Sequence, residues 1–206
     1  MTFLELKDNL LSPFASIDVL EPCRGLVICK RLSYKDDVVD DLATYSVTLD
    51  RLTTLMTNSR HAKEKTETGV AIHYTKISTF LSIFDLPSLE ALELHAPPAG
   101  SEDYDPPYVL GELEGWGSSS CLKQLNLDGI LFRNEACYAF LKAVPALTQL
   151  RLAASNKLYL YYAPLASSLS YEPSCTDNIL PNLERLAVHE NLTFSLSEIA
   201  RERALD

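Results

Sequence analysis

Four copies of the spacing L-x-x-L-x-L constrain this chain more than any other feature. They are Leu89, Leu92, Leu94; Leu122, Leu125, Leu127; Leu147, Leu150, Leu152; and Leu183, Leu186, Val188. The first leucines of successive copies lie 33, 25 and 36 residues apart, and in three copies a proline stands two positions earlier (Pro87, Pro145, Pro181). Along a strand, side chains alternate faces, so Leu92 and Leu94 point to one side while Ala91, Glu93 and His95 point to the other. One such strand cannot bury its leucines. Several stacked in parallel make a continuous sheet, and each crossing between them must return over the leucine side. A stripe near helical spacing falls in one of those crossings: Asn134 can cap RNEACYAFLKAVP (133–145), with Ala136, Phe140, Leu141 and Val144 on one face. SLSEIARERALD (195–206) carries a similar pattern. The pattern predicts an α/β leucine-rich-repeat solenoid, with parallel strands on a concave face and helices on the convex face.

The first half is less regular. Val38, Leu42, Tyr45, Leu49, Leu52 and Met56 alternate steps of four and three, which predicts one long helix. GVAIHY (69–74) reads as a strand in the place of a preceding repeat, and FLELKDN (3–9) and GLVICKRL (25–32) read as two more degenerate copies, with Leu4 matched to Leu26. A helical cap or an irregular segment over 1–60 is the alternative. The whole chain, 1–206, is then one domain, with clear repeats over 86–206, a degenerate or capping region over 1–75 and a loop insertion at 96–119. That insertion is rich in proline, glycine and acidic residues, which resist regular structure. Neither end shows a clear polar capping repeat, which leaves a fragment of a longer protein as a further reading.

Composition narrows the function. The 206 residues hold 28 Asp and Glu against 18 Lys and Arg, a net charge of −10. Phosphate backbones are held mainly by Lys and Arg, so a nucleic-acid partner is not expected. No apolar run approaches the roughly 18 residues needed to span a bilayer, and MTFLELKDNLLSP lacks the basic and apolar regions of a secretory signal. Five cysteines, an odd number without a C-x-x-C pair, read as reduced thiols that mostly fill the core of a cytoplasmic or nuclear protein. There is no G-x-S-x-G elbow, P-loop or G-x-G-x-x-G, and no cofactor is expected.

The segments LTTLMTNSRH (52–61), FDLPSLEALEL, CLKQLNLDG, VPALTQLRL and LPNLERLAVHEN together resemble the repeat regions of fungal F-box-like leucine-rich-repeat proteins. The resemblance covers about residues 45–206 and rests on repeat-level motifs. It implies a surface that binds a client protein. In that family a separate N-terminal F-box docks on a ubiquitin-ligase scaffold. The N-terminus here shows no L-P-x-E opening, so a scaffold partner is implied only where an F-box is present or supplied elsewhere.

The outward positions of neighbouring strands form columns about 4.8 Å apart. The first holds Ala91, Gln124, Gln149 and Arg185, the second Glu93, Asn126, Arg151 and Ala187, and the third His95, Asp128, Ala153 and His189. The candidate partner-binding residues are Glu93, His95, Gln124, Asn126, Asp128, Gln149, Arg151, Arg185 and His189, on a non-catalytic interaction scaffold. A solvated face with nothing bound is the plainer reading. The alternative from another class is a metal-dependent hydrolase, with His73, His95 and Asp128 adjacent in the third column. Two aromatic features stand apart. Tyr159, Tyr161, Tyr162 and Tyr171 suit packing of an outer helix more than binding, and Trp116 in the 96–119 loop either staples the loop or anchors a partner.

Overall fold

The computed structural model describes residues 2–6, 10–11, 13–35, 46–60, 63–66, 69–72, 81–95, 108–110, 121–132, 134–153 and 180–188. Its strands are β1 (Phe3–Glu5), β2 (Leu10–Leu11), β3 (Ile28–Lys35), β4 (Val47–Thr48), β5 (Thr54–Arg60), β6 (Lys63–Thr66), β7 (Gly69–Ile72), β8 (Phe84–Asp85), β9 (Ala91–His95), β10 (Tyr108–Leu110), β11 (Gln124–Asp128), β12 (Ile130–Phe132), β13 (Gln149–Ala153) and β14 (Arg185–Val188). The α-helices α1 (Pro13–Leu20) and α2 (Asn134–Ala143) lie among them. The architecture is α/β around one parallel sheet. Its order is β1-β3-β5-β9-β11-β13-β14, which is also chain order, and β2 adds beside β3.

Register follows the leucines. Leu4 pairs with Cys29, Cys29 with Leu55, Leu55 with Leu92, Leu92 with Leu125, Leu125 with Leu150 and Leu150 with Leu186. A second row runs through Leu32, Thr57, Leu94, Leu127 and Leu152. Both rows face a single core in which Leu92, Leu94, Leu125 and Leu127 are buried. Each such leucine contributes about 1.5–3 kcal/mol by leaving water. Ile17 and Leu20 of α1, and Phe140 and Leu141 of α2, join the same core, so both helices cover the leucine side.

Before five of these strands the chain makes the same tight turn. The amide of Leu26 donates to the carbonyl of Cys23, Leu52 to Leu49, Leu89 to Leu86, Leu147 to Val144 and Leu183 to Leu180, at 2.8–3.2 Å. Pro87, Pro145 and Pro181 occupy the second position of three of these turns. There a fixed φ near −65° is already the required one. One residue beyond Leu26, Leu52, Leu89, Leu122 and Leu147, a backbone carbonyl accepts two amides of the next repeat: Val27 O from Thr53 and Thr54, Thr53 O from Glu90 and Ala91, Glu90 O from Lys123 and Gln124, Lys123 O from Thr148 and Gln149, and Thr148 O from Glu184 and Arg185. The stack is therefore stitched at strand entry as well as along the strands.

Several sequence expectations change in the N-terminal half. No long helix runs through 46–56. Leu49 and Leu52 belong to a turn, and Thr54 opens β5, which buries Leu55 rather than Met56. A turn that spaces leucines by three, followed by a strand, imitates a helical stripe; Val38, Leu42 and Tyr45 lie outside the described residues. The copy is Leu52-x-x-Leu55-x-Thr57, and it takes the place beside β9. The strand within 69–74 is real but pairs antiparallel with β6, Val70 opposite Lys65, instead of joining the sheet. GVAIHY offers no leucine at the turn spacing, and a hairpin needs only a short connection. The segments at 3–9 and 25–32 do supply strands, with Leu4 matched to Cys29 and not to Leu26, which instead holds the turn position.

Cys29 and Leu32 are three apart, yet both point inward. The register between β3 and β5 shifts between them, and Arg31 adopts φ 58°. This bulge adds one residue and leaves both Lys30 and Arg31 exposed. The inserted segment at 96–119 contains one described element, β10, which pairs in parallel with β12. Gly129, at φ 70°, turns the chain from β11 into β12 and donates its amide to Ala153 O at 2.8 Å. The helix expected at 195–206 and the tyrosines at 159–171 lie outside the described residues.

Candidate functional site

The face opposite the leucines is built by the strand pattern itself. In β9 and β11 the inward leucines alternate with outward residues that keep part of their surface. The pairing places Ala91, Gln124, Gln149 and Arg185 in one row and Glu93, Asn126, Arg151 and Ala187 in the next. Eight of the nine candidate residues are described: six lie in these two rows and two, His95 and Asp128, in the row beside them; Gln124, Asn126, Gln149, Arg151 and Arg185, with Glu93, line a single depression of about 270 Å³. His95 and Asp128 sit at one end of it, in the third row. That row ends at Ala153, which is buried, and His189 lies outside the described residues.

Charge is sorted across this face. Glu93 and Asp128 stand on β9 and β11, Arg151 and Arg185 on β13 and β14, and three amide side chains lie between them. At the acidic end, His95 Nε2 lies 3.4 Å from Glu93 Oε2 and its Nδ1 lies 3.5 Å from Asp128 Oδ2. The imidazole thus draws the two carboxylates together. At the strand entry, Lys123 Nζ pairs with Glu90 Oε1 at 3.0 Å, an exposed contact. Arg151 and Arg185 have no ion pair among the described residues. Asn126, at the centre, has a buried Oδ1 without a hydrogen-bond partner.

The third row does not bring the strand at 69–72 beside His95, as the alternative metal trio requires. The neighbour of His95 on β5 is Asn58, because β5 fills the position assigned to the 70–74 strand. His73 lies outside the described residues. Among the described residues, no group of three His, Cys, Asp or Glu is arranged to hold a metal ion. The thiols divide. Cys29 is buried, and burial, with Cys23 nearby as a smaller influence, pushes it up to about 12. Cys23 is partly buried and donates to Val19 O at 3.3 Å, while Cys121 is exposed and does not fill the core. Trp116 and Cys175 lie outside the described residues, as does the side chain of Cys137.

The sheet also extends the outward face to residues that the repeat search did not include. Phe3, 46% exposed, pairs with Ile28, Ile28 with Thr54 and Thr54 with Ala91, and Met56 stands beside Glu93. Glu5 pairs Arg31 at 3.2 Å on the same side. Allowing threonine or cysteine at a leucine position would have found these strands from the sequence. No protein-family model matches the chain, and no curated protein matches it in sequence. Among the described residues, no helix is long and apolar enough to cross a membrane.

Proposed function

We propose that the chain is a leucine-rich-repeat solenoid whose polar, concave sheet face holds a partner protein without catalysing a reaction on it. One observation carries this reading: outward side chains from four successive strands share two in-register rows and line one depression. Strands fix these groups before any partner arrives, so little ordering entropy is lost on binding. The resemblance to F-box-like repeat proteins supports a client-recognition role in the cytoplasm or nucleus. Contact with a ubiquitin-ligase scaffold belongs to this proposal only where an F-box is present or supplied by another chain.

The test is capture from the source cells with the protein immobilised, comparing it with the E93K/R151E double reversal. Capture of a specific partner by the unaltered protein, and its loss in the variant with an unchanged circular-dichroism spectrum, supports the reading. Equal capture by both proteins contradicts it.

A further inference from the structure

The proposed binding face carries its charge in two separate blocks, and that separation specifies a ligand. Glu93 and Asp128 with His95 form one end, and Arg151 and Arg185 form the other. Between them Gln124, Asn126 and Gln149 offer only amides. Neighbouring strands lie about 4.8 Å apart, so Glu93 and Arg151, two strands removed in one row, are separated by roughly 10 Å, and Glu93 and Arg185, three strands removed and one row apart, by roughly 16 Å at the backbone. An extended polypeptide advances about 3.3–3.6 Å per residue, so these distances match side chains about three to five residues apart. We propose that the face recognises an extended segment of a partner protein that crosses the strands, with a lysine or arginine at one end and an acidic residue about three to five positions away. The inference rests on the functional reading above and names the partner's chemistry.

Two features favour this occupant over a uniformly charged one. The two guanidinium groups have no ion pair among the described residues, so their charge is available to a carboxylate. A purely basic segment would have to lie against them, and a purely acidic one against Glu93 and Asp128; like charges across an interface oppose binding. The centre has a vacancy for a donor. Asn126 Oδ1 is buried without a partner, and rotation about the soft terminal torsion of an amide side chain turns it toward the depression that Asn126 lines. A backbone N–H of the crossing segment would then satisfy it.

Blocked five-residue peptides test the inference by nuclear magnetic resonance titration of the whole chain. The sequences are Lys-Ser-Ala-Ser-Asp, its all-basic counterpart with lysine at both ends, its all-acidic counterpart with aspartate at both ends, and a neutral one with glutamine and asparagine. The mixed peptide should shift the amides of Gln124, Asn126 and Gln149 and bind about tenfold tighter than the other three, as one well-placed charge pair allows. The R151E/R185E variant, altered only at exposed positions, should transfer the preference to the all-basic peptide. Peptides that all bind alike, or fail to bind, overturn the inference, as does a preference that survives R151E/R185E. In those cases, capture that is lost on E93K/R151E still supports a binding face. Capture that survives that reversal overturns the broader reading itself.

Discussion

At the residue scale, the strand leucines and their few replacements decide stability. Leu125 sits mid-sheet between Leu92 and Leu150 and is almost fully buried. Leu125→Ala should therefore cost about 2–5 kcal/mol through lost burial and a cavity, read from denaturant unfolding. Asn126, next to it in the chain but on the other face, should behave in the opposite sense. Removing an unpartnered buried acceptor relieves about 1–3 kcal/mol, so Asn126→Val should unfold at higher denaturant while binding the mixed peptide more weakly. Cys29 has a proton held more tightly in the folded than in the unfolded chain, because burial raises it from 9.0 to about 12. Its contribution is whole below pH 9 and is lost as pH climbs from there toward 12, since only the unfolded chain then readily gives up that proton. Alkylation at neutral pH should label Cys121 quickly and Cys29 only on unfolding, as peptide mapping would report. Rapid labelling of Cys29 would contradict its place in the core.

At the element scale, turns and the strands they launch are the recurring unit. Pro87 and Pro145 are exposed, and each pre-sets a turn whose end residues, Leu86 and Leu89 or Val144 and Leu147, are buried. Replacing either by alanine should cost about 0.4–1 kcal/mol through a freer unfolded chain, with little change in the folded structure. A thermal midpoint that does not move would contradict this. Much of this level was legible in the sequence. The L-x-x-L-x-L copies give β9, β11, β13 and β14, and the stripe at Phe140, Leu141 and Val144 gives α2. The copies at 26–32 and 52–57 were harder to read because Cys29, the Arg31 bulge and Thr57 each break the leucine spelling while keeping its geometry. The hairpin of β6 and β7 was misplaced for a related reason. Alternation identifies a strand, but only the turn leucine before it identifies a place in this sheet.

At the scale of the whole molecule, the candidate face exists because the repeats stay in register from one end of the sheet to the other. The sequence columns for Glu93, Asn126 and Arg151 needed only the leucine spacing, and the structure reproduces them. The separation of charge into blocks depends on which strands are neighbours, and for His95 that neighbour is Asn58, which could not be assigned until β5 was located. A bound partner held by those blocks should dissociate more readily as salt rises, because exposed charge pairs are screened beyond about 8–10 Å at physiological ionic strength. The register itself is tested most directly by methyl nuclear Overhauser contacts in leucine-labelled protein. Leu55 should contact Leu92, Leu92 should contact Leu125 and Leu125 should contact Leu150, with none between Leu55 and Leu150, three strand spacings apart. Contacts between Leu55 and Leu150, or none along the row, would contradict the stacked sheet and the binding face built on it.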